Sequence, residues 1–260
     1  MIARRQSLGA LALEVGIVSA ALSLGACSSS SQPQSAADVQ KKLSEEEVRL
    51  DQSTQLVEQL RPKVPDPVAS RARCVVVIPG LHKGGLIVGG EGGKGFATCA
   101  SQRAWSSPAP VKMGGGTFGA QIGYESANVL ALVVSDSAAQ ALETGNFKVG
   151  ASASAAAGPV GASSSATGDV GVKSDILVYS DSSGLFAGAT FNGMTVSSDD
   201  QATRALYGTQ ADLASILERQ ATLQQPASVQ RFLGAMNNAF APPAVGIREE
   251  RAADSMAAFR

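Results

Sequence analysis

The sequence predicts an α+β fold, a curled and mostly antiparallel β-sheet rich in glycine, flanked by N- and C-terminal helices. Three observations predict it. Short apolar runs broken by glycine follow one another from about residue 73 to 192, which is typical of antiparallel hairpins. Segments with a helical apolar period lie on both sides of these runs. Glycine inside strands marks bends and bulges, so the 28 glycines fit a sharply curled sheet.

Residues 1–26 are predicted to be a lipoprotein signal peptide. Arg4 and Arg5 precede the apolar run "VGIVSAALSLGA", and Leu24 to Cys27 match a lipobox, in which the cysteine is acylated and becomes the first mature residue. The run is shorter than the roughly 20 residues that span a bilayer. A plain secretory signal or a membrane span is the alternative. Because Ser28 replaces the aspartate that often retains lipoproteins at the inner membrane, we expect an outer-membrane anchor facing the periplasm.

Residues 27–36, which include "CSSSSQPQS", are expected to be a flexible tether. The next segment, from Ala37 to Leu60, is predicted to be a helix because its apolar residues recur on one face. The other face carries Glu45, Glu46 and Glu47. Helices that lie on anionic lipid usually carry lysine and arginine there, so we expect this helix to pack against the protein itself.

The run "RCVVVIP" from Arg73 predicts a buried strand, since it is continuous and β-branched. The following "VGGEGGKG" contains the spacing G-x-G-x-x-G at Gly90, Gly92 and Gly95, but no helix pattern follows it, as a dinucleotide site requires. The P-loop pattern is not met either, because glycine follows Lys94 and Val88 occupies the position of the first glycine. We therefore interpret this run as a bent strand or hairpin. "SDSAAQALET" predicts one helix between strands.

Helices return after Ser198. Asp199 is a suitable N-cap for "DQATRALYG". A second helix is predicted through Leu213, Ile216, Leu217 and Leu223, and a third through Val229, Phe232, Leu233 and Met236. Residues 209–241 are thus a predicted helical extension, and residues 242–260 are expected to be a mobile tail.

The charge of the chain is unevenly distributed. The formal net charge is −1, but Leu60 to Gly115 holds eight basic residues and two acidic ones. Such asymmetry indicates an anionic partner. The alternative is that these side chains are scattered over several solvated faces.

Catalytic and metal chemistry find little support in the sequence. His82 is the single histidine, and no G-x-S-x-G or CxxC motif is present. We expect no enzyme activity, cofactor, metal or nucleic-acid partner. Cys74 and Cys99 could pair in an oxidising compartment, or they could be two separate buried strand cysteines, because the sequence does not set their distance.

Six fragments in order resemble the SYLF domain, namely "CVVVIPGLHKGGLIVGGEGGKG", "WSSPAPVKMGGGTFGAQIGYES", "VLALVVS", "AAAGPVG", "VYSDSSGLFAGATFNG" and "ALYG". The likeness covers about Ala69 to Gly208 and, with the first helix, defines a domain at 37–208. It implies binding of anionic headgroups such as phosphoinositides or phosphatidic acid. Eukaryotic members are also linked to actin, and some bind membranes with a preceding amphipathic helix, a role not carried over here.

Within the matching motifs, the residues expected to bind headgroups are Lys83, Lys94, Lys112 and Arg73. A compact ammonium suits a phosphate oxygen, although ordinary surface solubility also explains each lysine. Trp105 could lie at the membrane boundary, or it could be a core or capping residue. The rival function is a scaffold of the cell envelope whose helices dock a protein partner.

Overall fold

The structure is a computed structural model that describes residues 35–85, 88–101, 104–118, 123–158, 174–181, 193–208, 211–218 and 225–241. The predicted signal peptide, Cys27 and the tail from residue 242 lie outside these ranges. Residues 35–260 form one compact unit, and the apolar clusters and the disulfide described below all lie within it. No helix in the described part is both long and apolar enough to span a membrane.

Helix α1 (Ala36–Leu60) begins one residue before the predicted position. It begins there because Ser35 and Asp38 form a capping box, in which each side chain accepts a hydrogen bond from the other residue's backbone N–H. A 3-10 turn (Arg61–Lys63) and the short helix α2 (Asp66–Ala69) follow. Pro62 lies in this turn, and Pro65 and Pro67 lie at the start of α2.

The predicted acidic face of α1 was wrong at Glu46. Glu46 is 1% exposed, because it lies on the same side of the helix as the buried Leu50 and Ser53. Lys42 Nζ lies 3.0 Å from Glu46 Oε1, and the Arg49 guanidinium contacts Oε2. Two cations on the same helix therefore compensate this buried carboxylate.

Within the described residues nine strands form one sheet, in the spatial order β6-β9-β4-β2-β1-β5-β8-β7, with β3 paired to β2. All neighbouring pairs are antiparallel except β7 and β8, which confirms the predicted fold class. The strands are β1 (Cys74–Gly85), β2 (Val88–Ser101), β3 (Ala104–Trp105), β4 (Ala109–Phe118), β5 (Gly123–Val133), β6 (Asn146–Lys148), β7 (Ala155–Ala157), β8 (Ile176–Ser180) and β9 (Thr195–Ser198).

Four further helices complete the described elements, namely α3 (Asp136–Glu143), α4 (Asp200–Tyr207), α5 (Leu213–Glu218) and α6 (Ala227–Ala239). Asp199 caps α4 as predicted, accepting the Ala202 N–H at 3.4 Å. The predicted helices at α3, α5 and α6 are also confirmed, while Leu223 lies outside the described residues.

Two apolar clusters lie on opposite faces of the sheet. The inner face packs residues such as Val76 and Val111 against α3 and α5. The outer face packs Val75, Phe96 and Leu132 against α1 and α6. Helix α6 is thus part of the domain core, and its Arg231 forms a bidentate ion pair with Asp51 of α1.

The predicted bent strand "VGGEGGKG" is part of β2. The β1–β2 register shifts between Val77 and His82, which is a bulge in β1. Gly95 is required there, because a Cβ would lie 1.9 Å from the Val77 carbonyl oxygen. A Cβ at Gly93 would lie 2.6 Å from Ile78 Cγ2. These glycines therefore let β2 pass close to the bulge.

Cys74 and Cys99 are register partners at the ends of β1 and β2, and they form a disulfide with an S–S distance of 2.01 Å. Both residues are buried on the inner face. A carboxylate oxygen of Glu143 lies within 4.8 Å of both sulfurs. Because the disulfide uses both thiols, this group does not form a metal site.

Candidate functional site

The four predicted headgroup residues do not converge on one site. Arg73 immediately precedes β1, and Lys83 lies ten residues along the chain near the other end of that strand. At about 3.3 Å per residue this separation is about 30 Å. Arg73 Nε also pairs with Asp136 Oδ1 at 2.9 Å. Arg73 therefore belongs to a different end of the sheet.

Lys83 lies on the inner face, because it is two residues from the buried inner-face Leu81 and pairs in register with Glu91. Glu91 is 7% exposed, and its Oε2 accepts no hydrogen bond. Burial raises the pKa of Glu91, and the charge of Lys83 partly opposes this. Lys83 is therefore the neighbour of a buried acid, on the face opposite Lys94 and Lys112.

Lys94 and Lys112 are register partners on β2 and β4. Both project from the outer face, since they alternate with Gly95 and with the inner-face residue Val111. Like charges directly opposite each other destabilise a sheet. The compensating group is Asp199, whose Oδ2 lies 2.8 Å from Lys94 Nζ.

Asp199 is held firmly between β9 and α4. Its backbone N–H donates to the Pro110 carbonyl at 3.0 Å, and the residue is 2% exposed. Burial acts to raise the pKa of Asp199, but the hydrogen bond and charge of Lys94, with help from the Ala202 N–H and Lys112, outweigh it and hold the pKa below its usual value. Lys94 therefore stabilises the N-terminus of α4.

Lys112 is the most available of the four residues. Lys112 is exposed, and none of the ion pairs found in the described part of the chain includes it. The two lysines share one carboxylate, so the pair keeps an excess positive charge at Lys112. Phosphate is the kind of group that such an ammonium binds.

Other basic residues of the positive segment have structural contacts. Lys63 donates to the Ser180 carbonyl at 2.8 Å, and Arg61 pairs with Asp66 and places its guanidinium 5.7 Å from the Phe240 ring centroid. Arg103 lies outside the described residues. The positive charge of the segment is thus partly used to hold the elements together.

The suggested membrane-boundary position of Trp105 was wrong. The residue is 3% exposed, and its indole N–H donates to the Phe240 carbonyl at 2.8 Å. The two rings pack edge to face, with centroids 6.3 Å apart. Trp105 is therefore a core residue, the alternative interpretation of its motif.

Sequence reasoning missed two residues near Lys112. Asp199 was assigned only a capping role, although it also neutralises Lys94. Lys148 on β6 is exposed on the same outer face, because β9 pairs with both β4 and β6. No sequence signal distinguishes Lys148, since this strand order joins segments far apart in the chain.

Comparison with known proteins identifies a family that this chain resembles. The family model described as "Ysc84: Las17-binding protein actin regulator" matches residues 114–239. This match confirms the resemblance to the SYLF family. It also includes α5 and α6, which lay beyond the six matching fragments.

Several curated proteins are similar to this chain. Protein YSC84 of Saccharomyces cerevisiae is 30% identical over 148 residues, which are 56% of this chain and 32% of the relative. SH3 domain-containing protein PJ696.02 of Schizosaccharomyces pombe is 31% identical over 178 residues, 67% of this chain and 41% of the relative. SH3 domain-containing YSC84-like protein 1 of Homo sapiens is 27% identical over 148 residues, which are 55% of this chain and 42% of the relative.

The matched region of the chain therefore spans less than half the length of each of these relatives. No solved structure matches the chain.

Proposed function

Since residues 114–239 of this chain belong to the Ysc84 (SYLF) family, we propose that the protein is a non-catalytic module that binds anionic phospholipid headgroups of the phosphoinositide or phosphatidic acid kind. The observation that carries the proposal is the exposed Lys112 beside Lys94 on the outer face. Acylated Cys27 anchors the module in the bacterial envelope, at the outer membrane facing the periplasm.

The expected strength of membrane binding follows from the number of positive charges at the site. A lysine near an anionic membrane surface contributes about 1 kcal/mol, so a few lysines give weak binding that salt screens. Lys112 retains its charge for a headgroup, whereas Lys94 contributes less because Asp199 already neutralises it. The headgroup site is therefore expected to be weak by itself.

The anchor compensates for this weakness. Eight residues, Cys27 to Gln34, lie between the proposed lipid and the helix cap at Ser35. A flexible chain of this length has a root-mean-square span of about 15 Å. Such a short tether raises the effective headgroup concentration into the millimolar range. A module with weak intrinsic affinity would then stay in contact with its membrane.

The proposal of a non-catalytic role rests on the available side chains. His82 is the one histidine in the sequence, and it lies on the outer face, whereas the buried Glu91 lies on the inner face. Both cysteines of the described region are in the disulfide. These groups offer no paired acid and base at Lys112.

Vesicle co-sedimentation of residues 35–260 tests the proposal. Phosphatidylcholine vesicles are compared with vesicles that also contain phosphatidic acid, at low and at raised salt. We expect binding to the anionic vesicles alone, weakened by salt and by Lys112→Gln. Lys41→Gln, the same change at an exposed residue of α1, is the matched control. Equal binding to both vesicles, or to neither, would contradict the proposal.

A second candidate is docking of a protein partner, which is favoured by the relatives named LAS seventeen-binding protein 3. The outward side of α1 offers Val48, which is 58% exposed. This function predicts that partner capture survives Lys112→Gln and is lost on Val48→Asp. Headgroup binding predicts the reverse pattern for vesicles.

A further inference from the structure

Part of the outer face of the sheet is uncovered by the described part of the chain. A register row crosses six strands through Ser126, His82, Gly92, Gly114, Thr195 and Lys148. Gly90 and Gly116 form the next register pair of β2 and β4. We call these eight residues the open face. All of them are exposed or half-buried, in contrast to the buried outer-face cluster around Phe96.

The space above the glycines of the open face is empty of described atoms. A Cβ at Gly116 would meet nothing within 4 Å. At Gly92 and Gly114 a Cβ would meet only a backbone oxygen of the neighbouring strand, at 3.5 Å in each case, and at Gly90 one at 3.9 Å. These distances are ordinary van der Waals contacts. Packing against the described residues therefore does not require glycine at these four positions.

The glycines of the opposite face differ. A Cβ at Gly95 or Gly93 would overlap the β1 bulge, and one at Gly115 would lie 3.3 Å from Met194. Glycine in a strand interior weakens the strand relative to a residue with a side chain. Its use on the open face therefore needs another cause. Close approach of a second molecule to the bare backbone is such a cause.

The charge around the open face is complementary to phosphate. Lys148 lies within it, and Lys112 lies at its border with α4. The Cα atoms of these lysines are about 12 Å apart, two strands across and two residues along. Asp199 is buried and bound to Lys94, while the exposed Asp200 accepts the Ser198 hydroxyl. An anionic headgroup between the lysines would meet cations on two sides.

We propose that the open face is the docking surface for the headgroup of an anionic phospholipid, with Lys112 and Lys148 on either side of the phosphate, Thr195 of β9 between them, and the glycines of β2 and β4 as the adjoining part of the surface. This inference rests on the proposed function, whose site it locates. It adds Lys148 and the glycines to the recognition surface, and it excludes Arg73 and Lys83.

Adding side chains at the glycines of the open face tests the inference without removing a charge. Gly92→Val and Gly114→Val in residues 35–260 are expected to fold and to resist urea at least as well as the parent protein, because valine suits strands. Their affinity for vesicles of phosphatidylcholine and phosphatidic acid is expected to fall at least tenfold. Lys148→Gln is expected to lower it severalfold. Gly234→Val, at an exposed and open glycine of α6, is the matched control and should bind normally.

The outcomes separate the two proposals. If the parent protein binds anionic vesicles and both valine variants bind equally well, the open face is not the site, and the proposed function stands. If the parent protein does not bind, the proposed function fails first. A valine variant that unfolds more easily than the parent would also overturn the inference, because it would show that packing does require the glycines.

Discussion

Replacement of Lys94 by glutamine is the most informative single change in the domain. It removes the cation 2.8 Å from Asp199 Oδ2 and keeps a polar side chain of similar length. Asp199 would remain 2% exposed with a negative charge. Its nearest support would then be the Ala202 N–H at 3.4 Å and the charge of Lys112.

The loss in the free energy of unfolding can be bounded from the burial of Lys94 and Asp199. Removing one partner of a fully buried ion pair costs about 3–5 kcal/mol, and an exposed pair contributes about 0–1 kcal/mol. The Lys94 side chain is 41% exposed and that of Asp199 is 3% exposed. We therefore expect Lys94→Gln to lower the free energy of unfolding by about 2 kcal/mol at pH 7.

The loss should depend on pH with a defined sign. In the parent protein the pKa of Asp199 is lowered, so the ionised carboxylate contributes stability above the unfolded pKa that is lost as the pH falls through the folded pKa. Without Lys94, burial raises the pKa of Asp199 instead. The difference between variant and parent should therefore be largest near neutral pH and should shrink below about pH 4.

Urea unfolding of residues 35–260, followed by fluorescence of the single tryptophan, measures this difference. Trp105 is buried against Phe240, so unfolding exposes it to water. The double variant Lys94→Gln/Asp199→Asn should recover most of the loss, since it removes both charges and keeps a capping side chain. A loss below about 0.5 kcal/mol at pH 7, typical of a surface pair, would refute the reasoning.

Four further changes probe other parts of the domain. Reduction of the disulfide, which links residues 25 apart, should lower the free energy of unfolding by about 3.5 kcal/mol, as measured by urea unfolding with and without a reductant. Glu91→Gln should raise thermal stability at pH 7 and have little effect below about pH 4, because burial raises the pKa of Glu91 and its ionised form is therefore disfavoured in the fold. Gly95→Ala should prevent or strongly destabilise folding, because its Cβ would overlap the Val77 carbonyl, whereas Gly116→Ala should be neutral or stabilising in the same urea assay.

Local patterns were sufficient to predict most elements. The apolar period predicted α1 within one residue of its start, and the capping aspartate located α4. The β-branched run after Arg73 predicted a buried strand, and the glycine run proved to be the strand paired with it. These signals depend on residues close together in the chain, which is why they could be interpreted without a structure.

The site was less predictable, because its contacts join distant segments. Lys94 meets Asp199 only because β9, from near residue 200, lies beside β4. Trp105 is buried by Phe240, 135 residues away. The glycines of β2 look alike in sequence, yet Gly95 is required by a neighbouring carbonyl and Gly92 is not. Only the strand order and the β1 bulge distinguish them.

A fluorescent label on the open face gives the most direct test of the central claim. Gly116→Cys in residues 35–260 provides a single free thiol, because Cys74 and Cys99 are joined, and an environment-sensitive dye on it should shift to the blue with vesicles containing phosphatidic acid. The same dye at Gly234→Cys on α6 should not respond, and zwitterionic vesicles should leave both unchanged. A blue shift at Gly234 alone, or none at Gly116 under conditions of measured vesicle binding, would contradict the account.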